Sequence, residues 1–437
     1  MQEPNRVPPQ TFLDEKQETI SVNELRKLQL ERVVNSVAYA LHNSPFYRNK
    51  KHLYGEDALL TSLEDFAHFP FTTKEELRSS QIYDILAVQK KQVTEVHFSS
   101  GTTGNPVYSF LTKNDIANGN KFLARTWYMQ GVRSESTFAM LASYGLFSAG
   151  LLNHYAIQHL GAFILPIGGS SPEKALKLFK MFSASAAAAV ASYYPYLASY
   201  AKERGIDPRA LELRSLIAGG EPFSEEERSY IQEQFGASVY DQYGLCEINT
   251  GIAGECSEKN GLHILADYVY PEIVHPETGV PLKEGEMGEL VLTTFFKEAS
   301  PLLRYRTGDM TSITYEPCPC GRTMPRIARI ERRVAETIFY KGIGIEKSYV
   351  ATVLEGLKDR LNPYIWQLEV KRSGGKELAL LRIIPEVEHD EHLLGHVTDY
   401  LYHQFGFRVS VGMFTQAELS NLGTSKLKHF VDNRAKS

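Results

Sequence analysis

Three short clusters carry residue types that together suit a nucleotide. In Ser99-Ser100-Gly101-Thr102-Thr103-Gly104, two glycines let the backbone approach an anion closely, and four hydroxyls donate beside the backbone N–H groups. A Walker loop runs through Gly-Lys-Ser/Thr into a helix, whereas here alternation from Thr94 to Phe110 predicts strand, loop, strand. In Asp241-Gln242-Tyr243-Gly244-Leu245-Cys246-Glu247, a tyrosine that can stack on a base precedes a carboxylate that can hold magnesium between phosphates. In Arg304-Tyr305-Arg306-Thr307-Gly308-Asp309, a carboxylate after a glycine turn can accept both hydroxyls of a ribose. Alone, each cluster is also what an ordinary turn or strand end looks like.

A fourth set suits a metal. Cys318-Pro319-Cys320 is a tight thiol pair, and Cys256 stands seven residues before His263. Three sulfurs and one imidazole complete a closed tetrahedral zinc site with no open position, hence structural. The alternative is four reduced side chains that pack loops together. Cys246, inside the nucleotide cluster, is not expected to be a ligand.

These side chains need a frame. Val22 to Leu41 places Leu25, Leu28, Leu30, Val33, Val34, Val37 and Leu41 at helical spacing behind a Ser21 cap. A loop is read at Asn43 to Tyr47. Between Phe138 and Gly220, strand-like runs at Ala162–Ile167 and Arg214–Ala218 alternate with helical ones such as Lys174–Met181. That order implies an α/β body of mixed, mostly parallel sheets with flanking helices. The small-residue run Ala184–Ala191 reads as a buried strand or helix with close backbone packing. Short strands follow at Ile264, Glu272–Val274 and Glu289–Thr294. From about Arg333 the pattern shifts to a helix near Tyr349–Leu361 and strands near Ile365–Val370 and Leu378–Ile384. The parse is a body of residues 1–332 and a small mobile α+β unit of residues 333–437. The length of 437 residues asks for more than one domain.

Composition excludes several classes. The 47 basic and 52 acidic residues give a net charge of −5, which argues against a nucleic-acid-binding face. No apolar run approaches a membrane span, the N-terminus lacks a signal-peptide core, and four cysteines make no disulfide framework. A reducing, cytoplasmic setting is expected.

Taken in order, the clusters resemble the adenylate-forming superfamily of acyl-CoA synthetases, adenylation domains and luciferases, and most of all its phenylacetate–CoA ligases. The resemblance also runs through Pro45-Phe46-Tyr47, Phe71-Thr72-Thr73-Lys74, Tyr144-Gly145-Leu146-Phe147, Gly219-Gly220-Glu221-Pro222, Cys318 to Thr323 and Val431-Asp432-Asn433-Arg434. It implies ATP-dependent activation of a small aromatic carboxylic acid as acyl-AMP, then transfer to CoA. By it, Ser99 to Gly104 close over the ATP phosphates, and Gly220, Glu221, Pro222, Asp241, Tyr243 and Gly244 frame the adenine. Glu247 positions Mg2+, and Asp309 takes the ribose with Arg333 nearby. Tyr144, Phe147, Ala218, Gly219 and Ile248 line the acid pocket, and Lys426, from Thr424-Ser425-Lys426-Leu427-Lys428, supplies the catalytic cation. Some phenylacetate–CoA ligases keep cysteines and a histidine at the fourth set, which favours zinc. The resemblance also implies a homodimer.

Several departures cluster in one functional half. Ala335 stands where relatives carry an acidic hinge residue, Ser425 precedes Lys426 in place of glycine, and Asn105 replaces a lysine beside the phosphate loop. The first half-reaction is thus better furnished than the second, and an amine or a carrier-protein thiol stands as the alternative acceptor. A non-catalytic nucleotide-binding relative is a third reading, opposed by the presence of Lys426, Glu247 and Asp309. Ala218 and Gly220 are smaller than their counterparts in close relatives, so an acid bulkier than phenylacetate is expected.

Overall fold

The computed structural model describes residues 11–54, 60–98, 106–145, 148–330, 332–333, 337–340, 343–373, 376–385, 392–405, 407–414 and 429–433. The phosphate-loop residues Ser99 to Gly104, Phe147 and Lys426 lie outside them, as does the side chain of Arg333.

The Val22–Asn43 helix forms as its spacing predicts. Ser21 and Glu24 close a reciprocal capping box at its start. Leu25, Gln29, Val33, Val37 and Ala40 are its buried stripe, at steps of three and four residues. The loop expected at Asn43 to Tyr47 is instead helical at every residue but Ser44. Pro45 opens a one-turn helix, Pro45–Arg48, because a proline at the first helical position loses no hydrogen bond.

Two strands, β1 (Val93–Phe98) and β2 (Tyr108–Thr112), form an antiparallel ribbon on either side of residues 99–105. The main sheet has nine strands. Its parallel half comprises β3 (Thr137–Met140), β4 (Phe163–Pro166), β5 (Ala186–Val190), β6 (Ser215–Gly219) and β7 (Ser238–Leu245), in the order β7-β6-β5-β3-β4. The helices Ser148–Leu160, Pro172–Phe182, Tyr193–Lys202 and Glu225–Phe235 make its crossovers. The run of alanines settles as the strand β5, in which Ala186 to Ala189 are all buried between neighbours on both sides. The antiparallel half adds β8 (Thr250–Glu255) and β9 (Leu262–Ile264). After β10 (Val269–Val274), β11 (Gly288–Thr294) and β12 (Tyr305–Thr311) in a second sheet, β13 (Ile313–Thr314) and β14 (Arg326–Ile327) return to its edge. The second sheet runs β10-β11-β12-β15, with β15 being Arg332–Arg333.

Beyond these lie a hairpin, β16 (Thr337–Tyr340) and β17 (Ile343–Glu346), and a sheet of β18 (Leu361–Ser373), β19 (Lys376–Pro385), β20 (Ser410–Met413) and β21 (Phe430–Asp432), ordered β20-β19-β18-β21. The helix expected up to Leu361 spans Lys347–Glu355, and Leu361 already begins β18. A further helix, Leu393–Phe405, was not read from the sequence. One apolar cluster draws all its buried residues from 338–409. Ile365 instead joins the cluster around β5 and β6, and Tyr364 meets the ring of Tyr230 at 5.2 Å. Among the described residues, no helix is long and apolar enough to cross a membrane.

Candidate active site

In an open parallel sheet, ligands bind beyond the carboxyl ends of the strands, where neighbouring crossovers diverge. Here β3 feeds β4 on one side while β5 lies on its other side, so the divergence falls between β3 and β5. The segments leaving β3, β5, β6 and β7 at that end carry Tyr144, Ser192, Gly219 to Pro222, and Cys246-Glu247.

Backbone geometry dictates the first of these turns. A Cβ on Gly219 would sit 2.8 Å from the Gln242 carbonyl oxygen of adjacent β7, and Gly220 has φ +80°, open to few residues but glycine. The turn then aims the buried Glu221 carboxylate at the backbone N–H of Ser192, which donates to it at 2.7 Å. Gly219 and Gly220 keep exposed surface, as does Tyr144, whose hydroxyl is hydrogen-bonded to His154 Nδ1 at 3.0 Å. Burial alone raises the Tyr144 pKa. Ala218 and Ile248 are fully buried, so they shape the site from beneath its surface.

Along β7 the side chains of Asp241 and Tyr243 point to the same face, since strand residues two apart do so. Tyr243 donates its hydroxyl to Asp309 Oδ2 at 2.7 Å, across 66 residues. Asp309 is buried, and its strand pairs with β15 so that Asp309 faces Arg333. Asp241 accepts from Arg329 Nε at 3.0 Å. Burial raises its pKa to about 6, Arg329 opposing. Arg329 also donates to the Phe223 carbonyl at 2.6 Å and pairs with Glu225. Its guanidinium therefore ties β7 and the residues just after the Gly219–Pro222 turn to the segment entering β15. Gly244 is half-buried on the same strand.

At the strand's end a single 3-10 turn, Cys246–Ile248, presents Glu247, which is 4% exposed. Its Oε1 lies 3.3 Å from Lys74 Nζ and accepts from the Tyr305 hydroxyl at 3.3 Å. The Glu247 carbonyl accepts from the buried Lys297. Burial pushes the Lys297 pKa down to about 8, with the nearby Asp115 opposing. Lys297 and Arg329 escaped the sequence reading because no local spacing singles out one lysine after a strand or one of the four arginines in residues 326–333.

The structure brings the fourth set together. Cys256 follows β8, His263 lies on β9, and Cys318 and Cys320 flank a proline in the turn between β13 and β14. The Sγ atoms of Cys256 and Cys318 are 3.7 Å apart, Cys320 Sγ is 3.5 Å from His263 Nε2, and all four donor atoms lie within 4.8 Å of one another. The other ring nitrogen of His263 lies 3.1 Å from the Met324 carbonyl, a partner that leaves Nε2 free to ligate. Hydrogen bonding from Cys256, reinforced by His263, holds the Cys320 pKa well down. Three thiols and one imidazole are the soft donor set that suits zinc. Arg322 anchors the turn, donating to buried Glu18 at 2.7 Å and to the Thr11 carbonyl at 3.0 Å.

Known proteins resemble this chain over most of its length. Residues 15–294 match the family model described as AMP-binding enzyme. The chain is 37% identical over 369 residues to a phenylacetate–coenzyme A ligase of Thermus thermophilus, covering 84% of this chain and 82% of that one. It is 35% identical over 416 residues to its Escherichia coli counterpart, covering 93% of each. Among solved structures, 2-hydroxyisobutyryl-CoA ligase in its postadenylation state superposes with a TM-score of 0.83 at 23% identity, covering 100% of this chain and 96% of that one. The same enzyme with CoA in the thioesterification state gives 0.72 at 25% identity, covering 99% and 95%. The chain therefore belongs to the AMP-binding enzyme family, alongside the phenylacetate–coenzyme A ligases, and is an AMP-forming acid–thiol ligase.

Proposed function

We propose that this ligase activates an aromatic carboxylic acid as its acyl-AMP, using ATP and magnesium, and transfers the acyl group to CoA. The observation that carries the reading is the placement of Tyr243, Asp309 and Glu247 around one strand end, with Tyr243 bonded to Asp309 and Glu247 held between Lys74 and Tyr305. Tyr243 and the Gly220–Pro222 turn take the adenine, Asp309 the ribose, and Ser99 to Gly104 the phosphates. Attack of a carboxylate on the α-phosphorus brings like charges together, so the site must supply positive charge there. Lys426 would supply it from the C-terminal unit, and Glu247 would hold the Mg2+ whose charge offsets that of the phosphates. Asp309 is fully enclosed, which fits a unit beyond residue 332 that swings away to admit ATP. Tyr144 offers an aromatic wall to a planar acid, and exposed Gly220 leaves room for a ring larger than phenyl. Cys256, His263, Cys318 and Cys320 hold a structural zinc ion.

The test is ATP- and magnesium-dependent pyrophosphate release against aryl, bicyclic aryl and alkanoic acids, with and without CoA. Multiple turnover that needs CoA and prefers a substituted or bicyclic aryl acid is expected. A straight-chain alkanoic acid as best substrate would overturn the aromatic assignment, and turnover indifferent to CoA would overturn the acceptor.

A further inference from the structure

Lys297 belongs to none of the motifs above, yet it is 4% exposed and its Nζ donates to Ser109 Oγ at 2.7 Å and to the carbonyl of Glu247. An ammonium withdrawn from water costs several kcal/mol unless hydrogen bonds replace its hydration. Its neighbours along the chain are pinned as well. The Glu298 and Ala299 N–H groups donate to Asp115 at 2.5 and 3.0 Å, which fixes the backbone from which the lysine reaches. Ser109 lies on β2, the strand on which the chain returns from residues 99–105, and Glu247 lies on the turn that ends β7. One buried side chain thus joins the two elements that must keep register if phosphates and metal are to meet. We propose that Lys297 is a positioning residue that sets the Glu247 carboxylate for magnesium by clamping its turn to the phosphate-loop strand. The clamp acts through the Glu247 backbone, leaving both carboxylate oxygens to other partners. This inference rests on the reading of Glu247 as the magnesium-holding carboxylate.

The experiment measures the half-saturating Mg2+ concentration at saturating ATP, KM for the acid and the thermal midpoint, in Lys297→Met, Lys297→Gln, Ser109→Ala and Glu247→Gln. Small displacements of a reacting group cost large factors. Half-saturation in Lys297→Met is therefore expected to rise on the order of tenfold, with KM for the acid unchanged. Lys297→Gln, which keeps one donor, should recover part of the loss. A folded Lys297→Met with unchanged magnesium dependence, or with only a lowered midpoint, would overturn the proposal. If Lys297→Met does not fold, Ser109→Ala decides: raised half-saturation supports the clamp and unchanged half-saturation refutes it. Unchanged dependence in Glu247→Gln would instead remove the magnesium reading itself. A shift there with none in the Lys297 and Ser109 variants would sink the clamp alone.

Discussion

Severing the cysteine–histidine cluster should cost a measurable part of the body's stability. A tetrahedral zinc ion with Zn–S near 2.3 Å and Zn–N near 2.05 Å requires S···S edges of about 3.75 Å and S···N edges of about 3.6 Å. The structure gives 3.7 Å between Cys256 and Cys318 and 3.5 Å between Cys320 and His263, so two of the six edges already have the lengths of that tetrahedron, and all four donors lie within 4.8 Å of one another. A bound ion closes a loop of 62 residues between Cys256 and Cys318. Treated as a cross-link on the unfolded chain, that loop is worth about 4 kcal/mol. With an unfolding entropy of about 2.1 cal/mol/K per residue, residues 11–330 contribute roughly 0.7 kcal/mol/K, so the thermal midpoint should fall by about 6 °C. The perturbation is the double variant Cys318→Ser/Cys320→Ser, which removes both ligands of one turn, beside wild type treated with a strong chelator. Elemental analysis should find one zinc per wild-type chain and almost none in the variant, and cobalt(II) substitution should show thiolate charge transfer only in wild type. Purified wild type without stoichiometric metal, or a variant with an unchanged midpoint, would refute the reasoning.

Two further predictions follow from buried groups in the site. Tyr243→Phe removes a charge-assisted hydrogen bond to Asp309, worth about 1.5–3 kcal/mol, so KM for ATP should rise at least about tenfold while KM for the acid stays put; equal rises in both constants would contradict the nucleotide role. Glu227, on the Glu225–Phe235 helix, is pushed up to about 8 by burial and by neighbouring Glu221, with Lys347 opposing. A raised carboxyl pKa means the folded protein keeps a proton that the unfolded chain has already released, so stability falls as pH climbs from the ordinary value of 4.5 towards 8. Glu227→Gln removes that penalty, and its unfolding free energy from urea titration should exceed that of wild type by a margin that widens across this window to the order of a few kcal/mol. Parallel pH curves for the two proteins would exclude Glu227 as the cause.

Local patterns were read well where one element decides them. The Val22–Asn43 helix, the ribbon around residues 99–105 and the alternating strands and helices from Phe138 to Gly220 appear where periodicity placed them. Ends were read less well. Pro45 starts a helical turn inside a predicted loop, and Leu361 enters a strand because it pairs with Pro385, a partner 24 residues away that no local window contains.

The sequence by itself determined the family, the order of its candidate nucleotide motifs and the identity of four candidate metal donors, since these are properties of residue type and spacing. Tertiary structure alone decided which side chains meet. Tyr243 reaches Asp309 across 66 positions, Lys297 reaches the Glu247 carbonyl across 50, and Cys320 reaches His263 across 57. Each contact depends on which strands lie side by side, and strand adjacency follows from burying both faces of a sheet rather than from any neighbouring residue. The same cause explains Lys297 and Arg329. A single charged residue carries no periodic signal, and its partners become visible only when the sheets that hold them have formed.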